Sequence, residues 1–103
     1  MAHYVDGYVI PVPKKSVNAY RRGAQKAGKI WREHGALEFR ECVGDDLNVK
    51  MGLPFPRGIK VKPGETVIFS WMKDPRLMKM MDQPMPFDWK RMLYGGFKTI
   101  VEA

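Results

Sequence analysis

Six polar residues fall in or beside segments whose composition reads as buried strand: Asp6, Glu41, Asp88, Lys90, Arg91 and Tyr94. A charge in such a place is costly unless paired, and a paired or desolvated one has a shifted pKa, so acid–base chemistry would sit among these side chains. Pairing of Arg91 or Arg76 with Asp6, Glu41 or Asp88 as a structural or intersubunit salt bridge is the favoured reading, since such bridges perturb pKa values too. Tyr94, followed by Gly95 and Gly96, is placed to hydrogen-bond a ligand or a local partner. Cys42 is a lone thiol with no second cysteine and no histidine nearby, which favours a small buried hydrophobe over a nucleophile. His3 and His34 have no third ligand spaced to join them, so no metal and no cofactor is expected. One cysteine also excludes a disulfide scaffold.

Charge forms the second pattern. Lys14, Lys15, Arg21, Arg22, Lys26, Lys29 and Arg32 follow one another with no acid between them and equal the net +7 of the 103-residue chain. Lys15, Arg22, Lys26 and Lys29 are the candidate anion-binding face, on RNA or an acidic protein. A solvated helix face is favoured, because Tyr20 and Trp31 belong to the opposite, apolar stripe and no nucleic-acid-binding signature accompanies the charge. Nucleic acid is therefore not the expected partner. Met72, Met78, Met80, Met81 and Met85 place five of the eight methionines within fourteen residues, which suits either a pliable ligand cavity or a core.

The elements that must position these residues are legible in part. Tyr4 to Val12 is largely β-branched and aromatic, bounded by Pro11 and Pro13, a strand. Val17, Tyr20, Ala24, Ala27, Trp31 and His34 recur at helical spacing, and Gly35 stands at the helix end. Ala36 to Val43 alternates as a strand does. Residues 46–65 are broken by proline and glycine, with Val49 to Leu53 and Ile59 to Val61 as candidate extended pieces. Thr66 to Met72 is a buried strand, Arg76 to Asp82 two helical turns, and Arg91 to Val101 a strand whose glycine pair implies a bulge, bend or close backbone approach.

This order, β, α, β, β, short α, β, folds as a single α+β domain, a ferredoxin-like four-stranded antiparallel sheet with its helices on one face. The other face is left bare, yet the strands carry large apolar residues at both parities. A second subunit packed sheet to sheet would cover them. No apolar run approaches the roughly 18 residues of a membrane span, and no basic segment leads into an apolar one at the start, so a cytoplasmic homodimer away from the membrane is expected.

The stretches YVDGYVIPVPKK, AYRRGAQKAGKIWREHGALEFREC, KPGETVIFSW, DPRLMKMM and MPFDWKRMLYGGF resemble the YbaA-like bacterial family, a domain of unknown function (DUF1428), over nearly the whole chain. The resemblance implies a dimeric α/β barrel built from two ferredoxin-like subunits; it implies no established activity. Members of that family carry about one helix more between the strand ending in FSW and the DPR triplet, whereas here Trp71 is followed almost at once by Asp74. The second helix is thus short or partly missing between Trp71 and Asp74. An uncovered sheet there would lose roughly 1.5 to 3 kcal/mol per apolar side chain, which favours omission of a segment over a true deletion. The function expected is capture of a small organic molecule in the barrel, as a binding protein or a cofactor-free enzyme. Asp6, Tyr8, Glu41, Phe69, Trp71, Arg91, Met92 and Tyr94 are the candidate pocket, with no catalytic residue assigned among them.

Overall fold

The computed structural model describes residues 3–74 and 89–103. Strands β1 (Tyr4–Pro13), β2 (Glu38–Val43), β3 (Glu65–Asp74) and β4 (Leu93–Lys98) form one sheet in the order β2-β3-β1-β4. Every neighbouring pair is antiparallel. Both β3 and β4 run opposite to β1, so they are parallel to each other and joined by a crossover through residues 75–88. The expected helix at Arg76 to Asp82, four of the five clustered methionines and Asp88 lie there, outside the described residues. Trp71 to Asp74 is continuous strand, its last residue opposite Tyr4.

Helix α1 (Val17–Glu33) follows a 3-10 turn at Lys14–Ser16. Gly35, at φ +105°, ends it: the Gly35 amide donates to the Arg32 carbonyl and the Ala36 amide to that of Trp31, 3.0 Å away. Only a residue tolerant of the left-handed region closes a helix this way without strain. Buried Ala36 then leads into β2.

Neither extended piece expected between residues 46 and 65 is a strand. A single helical turn, α2 (Phe55–Gly58), stands there instead. Pro54 has extended backbone before it, and Pro56, inside the first turn, has a fixed φ suited to a helix start. Lys60 at φ 55° then turns the chain back toward β3. The final strand is shorter than Arg91 to Val101, because a 3-10 turn at Trp89–Arg91 precedes it.

Directly opposed residues share a face, so the register sorts the side chains. On the side bearing α1, Ile10, Val12 and Ile68 are buried together with Tyr8, Val17, Tyr20 and Met92 packed against them. On the other side Val9, Val67 and Ile59 form a second buried cluster, closed by Leu47 and Val61 from the long connection between β2 and β3. That connection covers only one end of its face. Phe69 and Leu93, directly opposite Val9, still stand 43% and 55% exposed, and Phe97, opposite Val5, is 61% exposed. The glycine pair of β4 marks a close approach: a Cβ on Gly96 would collide with the Tyr4 phenol.

Candidate functional site

Register places Asp6 and Tyr8 of β1, Glu41 of β2 and Tyr94 of β4 on the helix-bearing face. Tyr8 lies opposite Ser70 on one side and Tyr94 on the other, and Glu41 lies opposite Ser70. One row of polar side chains therefore crosses all four strands. Phe69 and Trp71 occupy the reverse face. The eight candidate residues are thus divided: Met92 packs beside Ile10 and Ile68 on the helix side, and Arg91 stands at the sheet's end.

The centre of the polar row is the Glu41 carboxylate. Tyr20 of α1 donates to both of its oxygens at 2.9 Å, and the buried Ser70 hydroxyl donates to both as well, at 2.8 Å to Oε2. Burial raises the Glu41 pKa above its ordinary value, and the Ser70 and Tyr20 hydrogen bonds pull it part of the way back. The same burial, reinforced by the Glu41 charge, raises Tyr20 and Tyr8 above the ordinary phenol range.

A second carboxyl lies in the neighbouring row of the same face, opposite Met72 and Gly96. Asp6 is 2% exposed, accepts a 3.0 Å hydrogen bond from the Tyr94 hydroxyl and is hydrogen-bonded to the equally buried Asp74. Burial is the main force raising its pKa, and the bonds from Tyr94 and Asp74 oppose it. Tyr94 is pushed up to about 12 by burial and by Asp6. Its ring meets that of Tyr8 at a centroid distance of 6.5 Å, which joins the two halves of the row.

Beside Glu41 the surface opens into a groove of about 730 Å³ between α1 and β2. Arg21, Lys29, Arg32 and Arg40 border it, and Phe39 and Glu41 line it. Of the four cations expected to bind anions, only Lys29 borders this groove; Lys15, Arg22 and Lys26 are exposed elsewhere on the helix and the turn before it. Arg91 pairs with Glu65, through two parallel bonds of 2.8 and 2.9 Å, and donates to the Lys60 carbonyl. It meets neither Asp6 nor Glu41 among these bonds. Cys42 is exposed rather than buried, because β2 is an edge strand and Cys42 faces away from α1.

Tyr20, Ser70, Asp74 and Glu65 complete these arrangements and carry no sequence signal of their own. Tyr20 reads as one member of an apolar helical stripe and Ser70 as a small residue within TVIFSWM. On the reverse face, Trp71, Gly7 and Gly95 stand directly opposite one another across β3, β1 and β4. Two adjoining strands thereby lack side chains of their own next to an indole, and the Phe97 ring lies against both glycines.

Among the described residues no three His, Cys, Asp or Glu side chains gather to hold a metal ion. Among them, too, no helix is long and apolar enough to cross a membrane. The sequence pattern of a family described as a protein of unknown function, DUF1428, matches residues 3–73. The chain is also similar to the uncharacterized protein YbaA of Escherichia coli (strain K12) and to that of Shigella flexneri. Each is 39% identical over 115 residues, covering 96% of this chain and 97% of the relative. The alignment is longer than this chain's 103 residues, so each relative has a stretch without a counterpart here. On the extent of both matches, the chain belongs to the DUF1428 family.

Proposed function

We propose that the chain is a ferredoxin-like subunit of a cytoplasmic homodimer that binds a small, largely apolar organic molecule between its two sheets. The strand order β2-β3-β1-β4, all antiparallel with a crossover from β3 to β4, supports the subunit architecture. The exposed Phe69, Leu93 and Phe97, all on the face turned away from α1, support the pairing with a second copy. A lone free thiol, exposed at Cys42, accords with a reducing compartment.

The observation that carries the ligand reading is the row Trp71–Gly7–Gly95. Two opposed glycines form a low floor between the Trp71 indole and the Phe97 ring, which lies 3.7 Å from where a Cβ on Gly7 would stand and 3.5 Å from one on Gly95. A second sheet placed above it would enclose a planar apolar guest. The polar row lies on the opposite side of the sheet, so this reading makes the barrel a binding compartment.

The test is native mass spectrometry with a fluorescent titration of N-phenyl-1-naphthylamine. The expected result is a particle of twice the chain mass whose dimer takes up the dye. Gly95→Leu should keep the dimer and lose the dye, and Phe69→Asp should give monomer. A monomeric wild type, or dye uptake unchanged in Gly95→Leu, overturns the reading.

A further inference from the structure

The groove between α1 and β2 has a different chemistry from the sheet face just described and lies on the other side of the sheet. Its border is cationic, with Arg21, Lys29 and Arg32 from α1. Its wall includes the Phe39 ring, and α1 approaches that ring through Gly28, where no side chain intervenes. The carboxyl that lines it, Glu41, is fixed by two hydroxyl donors, Tyr20 from the helix and Ser70 from the neighbouring strand. A half-buried acid facing a basic helix would ordinarily pair with a cation. Glu41 is held by neutral donors, and the described ion pairs join other residues. Arg32 turns its head to backbone, donating to the Leu37 carbonyl, and Arg40 points to the reverse face, where its guanidinium lies 5.9 Å from the Trp71 ring centroid.

We propose that this groove binds a small organic anion carrying an aromatic or other apolar body, and that Glu41 takes up a proton as the anion enters. The cations draw the negative group in, Phe39 receives the apolar body, and the volume fits a molecule of metabolite size. An anion arriving beside an ionised carboxylate is repelled until that carboxylate is protonated; the protonated group then becomes a donor toward the ligand. The direction in which burial moves the Glu41 pKa eases that uptake. Among the described residues, the titratable or charged groups that face Glu41 or share its groove are Tyr20, Arg21, Lys29, Arg32 and Glu33 on α1, Tyr8 on β1 and Arg40 on β2. The two tyrosines stay protonated well above neutral pH. Binding and pH are therefore linked through carboxyl groups; Glu33 and Glu41 both line the groove, and Glu41 is the one fixed there by Tyr20 and Ser70.

The test titrates the full chain with benzenesulfonate, whose charge is constant between pH 5 and 8, and follows backbone amide shifts at Gly28, Phe39 and Glu41. Wild type should bind several-fold more tightly at the lower pH, within the limit of about tenfold per pH unit for one proton taken up. Glu41→Gln keeps an acceptor for Tyr20 and Ser70 and should bind with no pH dependence, as tightly at pH 8 as wild type does at pH 5. A double Arg21→Ala, Lys29→Ala variant, altered only at exposed positions, should lose most of the binding. Lys15→Ala with Lys26→Ala, which removes equal charge away from the groove, should leave it unchanged. Absence of amide shifts, pH dependence persisting in Glu41→Gln, or equal losses in the two double variants each overturns the proposal; the last would mean diffuse attraction by net charge.

Discussion

Gly28 of α1 rests directly on the ring of Phe39 in β2: a Cβ at that position would stand 2.9 Å from Cδ1 and 3.1 Å from Cε1. This contact lets the helix lie close over the edge strand and sets the height of the Glu41 groove. Gly28→Ala would gain about 1 kcal/mol of helix propensity but would overpack the contact at a cost of about 1 to 3 kcal/mol. The expected outcome is a net loss of stability in urea unfolding, with amide shifts at Phe39 and Glu41. Gly23, on the same helix with open space around it, supplies the control. Gly23→Ala should stabilise by up to about 1 kcal/mol.

The pairing of Arg91 with Glu65 ties the turn before β4 to the start of β3, and both side chains are largely buried, at 16% and 13% exposure. The Arg91 hydrogen bonds hold the Glu65 carboxyl at about 2, well below its usual range. A depressed carboxylate pKa contributes stability that is fully present above the ordinary value of 4.5 and is lost as pH falls toward 2. Glu65→Gln should therefore be less stable than wild type at pH 7, by about 1 kcal/mol, and the gap should close below pH 3. Urea midpoints measured across that range decide it.

Asp6 should behave with the opposite sign. Its pKa is raised, so its folded-state preference for the protonated form favours stability at acid pH, and that contribution fades as pH rises through the folded pKa. Asp6→Asn retains an acceptor for the Tyr94 hydroxyl and gains a donor toward Asp74. Thermal melts should show it more stable than wild type at pH 7, by on the order of 1 kcal/mol, with little difference at pH 4 or below. An Asp6→Asn protein less stable at neutral pH would contradict this account.

Tyr20 and Ser70 serve the same carboxylate, so their removal should not be additive. Tyr20→Phe and Ser70→Ala should each cost about 1 kcal/mol, and the double variant should depart from their sum by at least about 0.5 kcal/mol in a double-mutant cycle. Strict additivity would show that Glu41 is supported elsewhere.

Much of the scaffold was legible before the structure. The 3.6-residue spacing from Val17 to His34 with Gly35 behind it marks α1 nearly to the residue, and the four strands stand where β-branched and aromatic runs lie. The faces were legible only in β2, whose alternation sets Phe39, Glu41 and Val43 against Glu38, Arg40 and Cys42, as the register does. β1 and β3 are apolar at both parities because each face buries a cluster, Ile10 with Ile68 on one and Val9 with Val67 on the other. With no polar alternation to fix their phase, nothing separates Asp6 and Tyr8 from Phe69 and Trp71, which turn out to be on opposite sides. The partner of Arg91 was hidden for a related reason: Glu65 sits in a stretch of Pro, Gly and Lys that reads as loop, and long-range pairing leaves no mark in local spacing.

The position of β1 has a kinetic consequence. As the first strand of the chain it occupies the inside of the sheet, and its neighbours β3 and β4 begin only at Glu65 and Leu93. Tyr8 must find Ser70 and Tyr94 across long stretches of intervening chain, whereas α1 and β2 are near neighbours in sequence. On the ribosome, β1 emerges with both edges unpaired and stays so until β3 and β4 have followed it. Sheet closure is thus the slow, late event in folding, and the apolar stretch from Val9 to Val12 is the segment most exposed to mispairing while it waits.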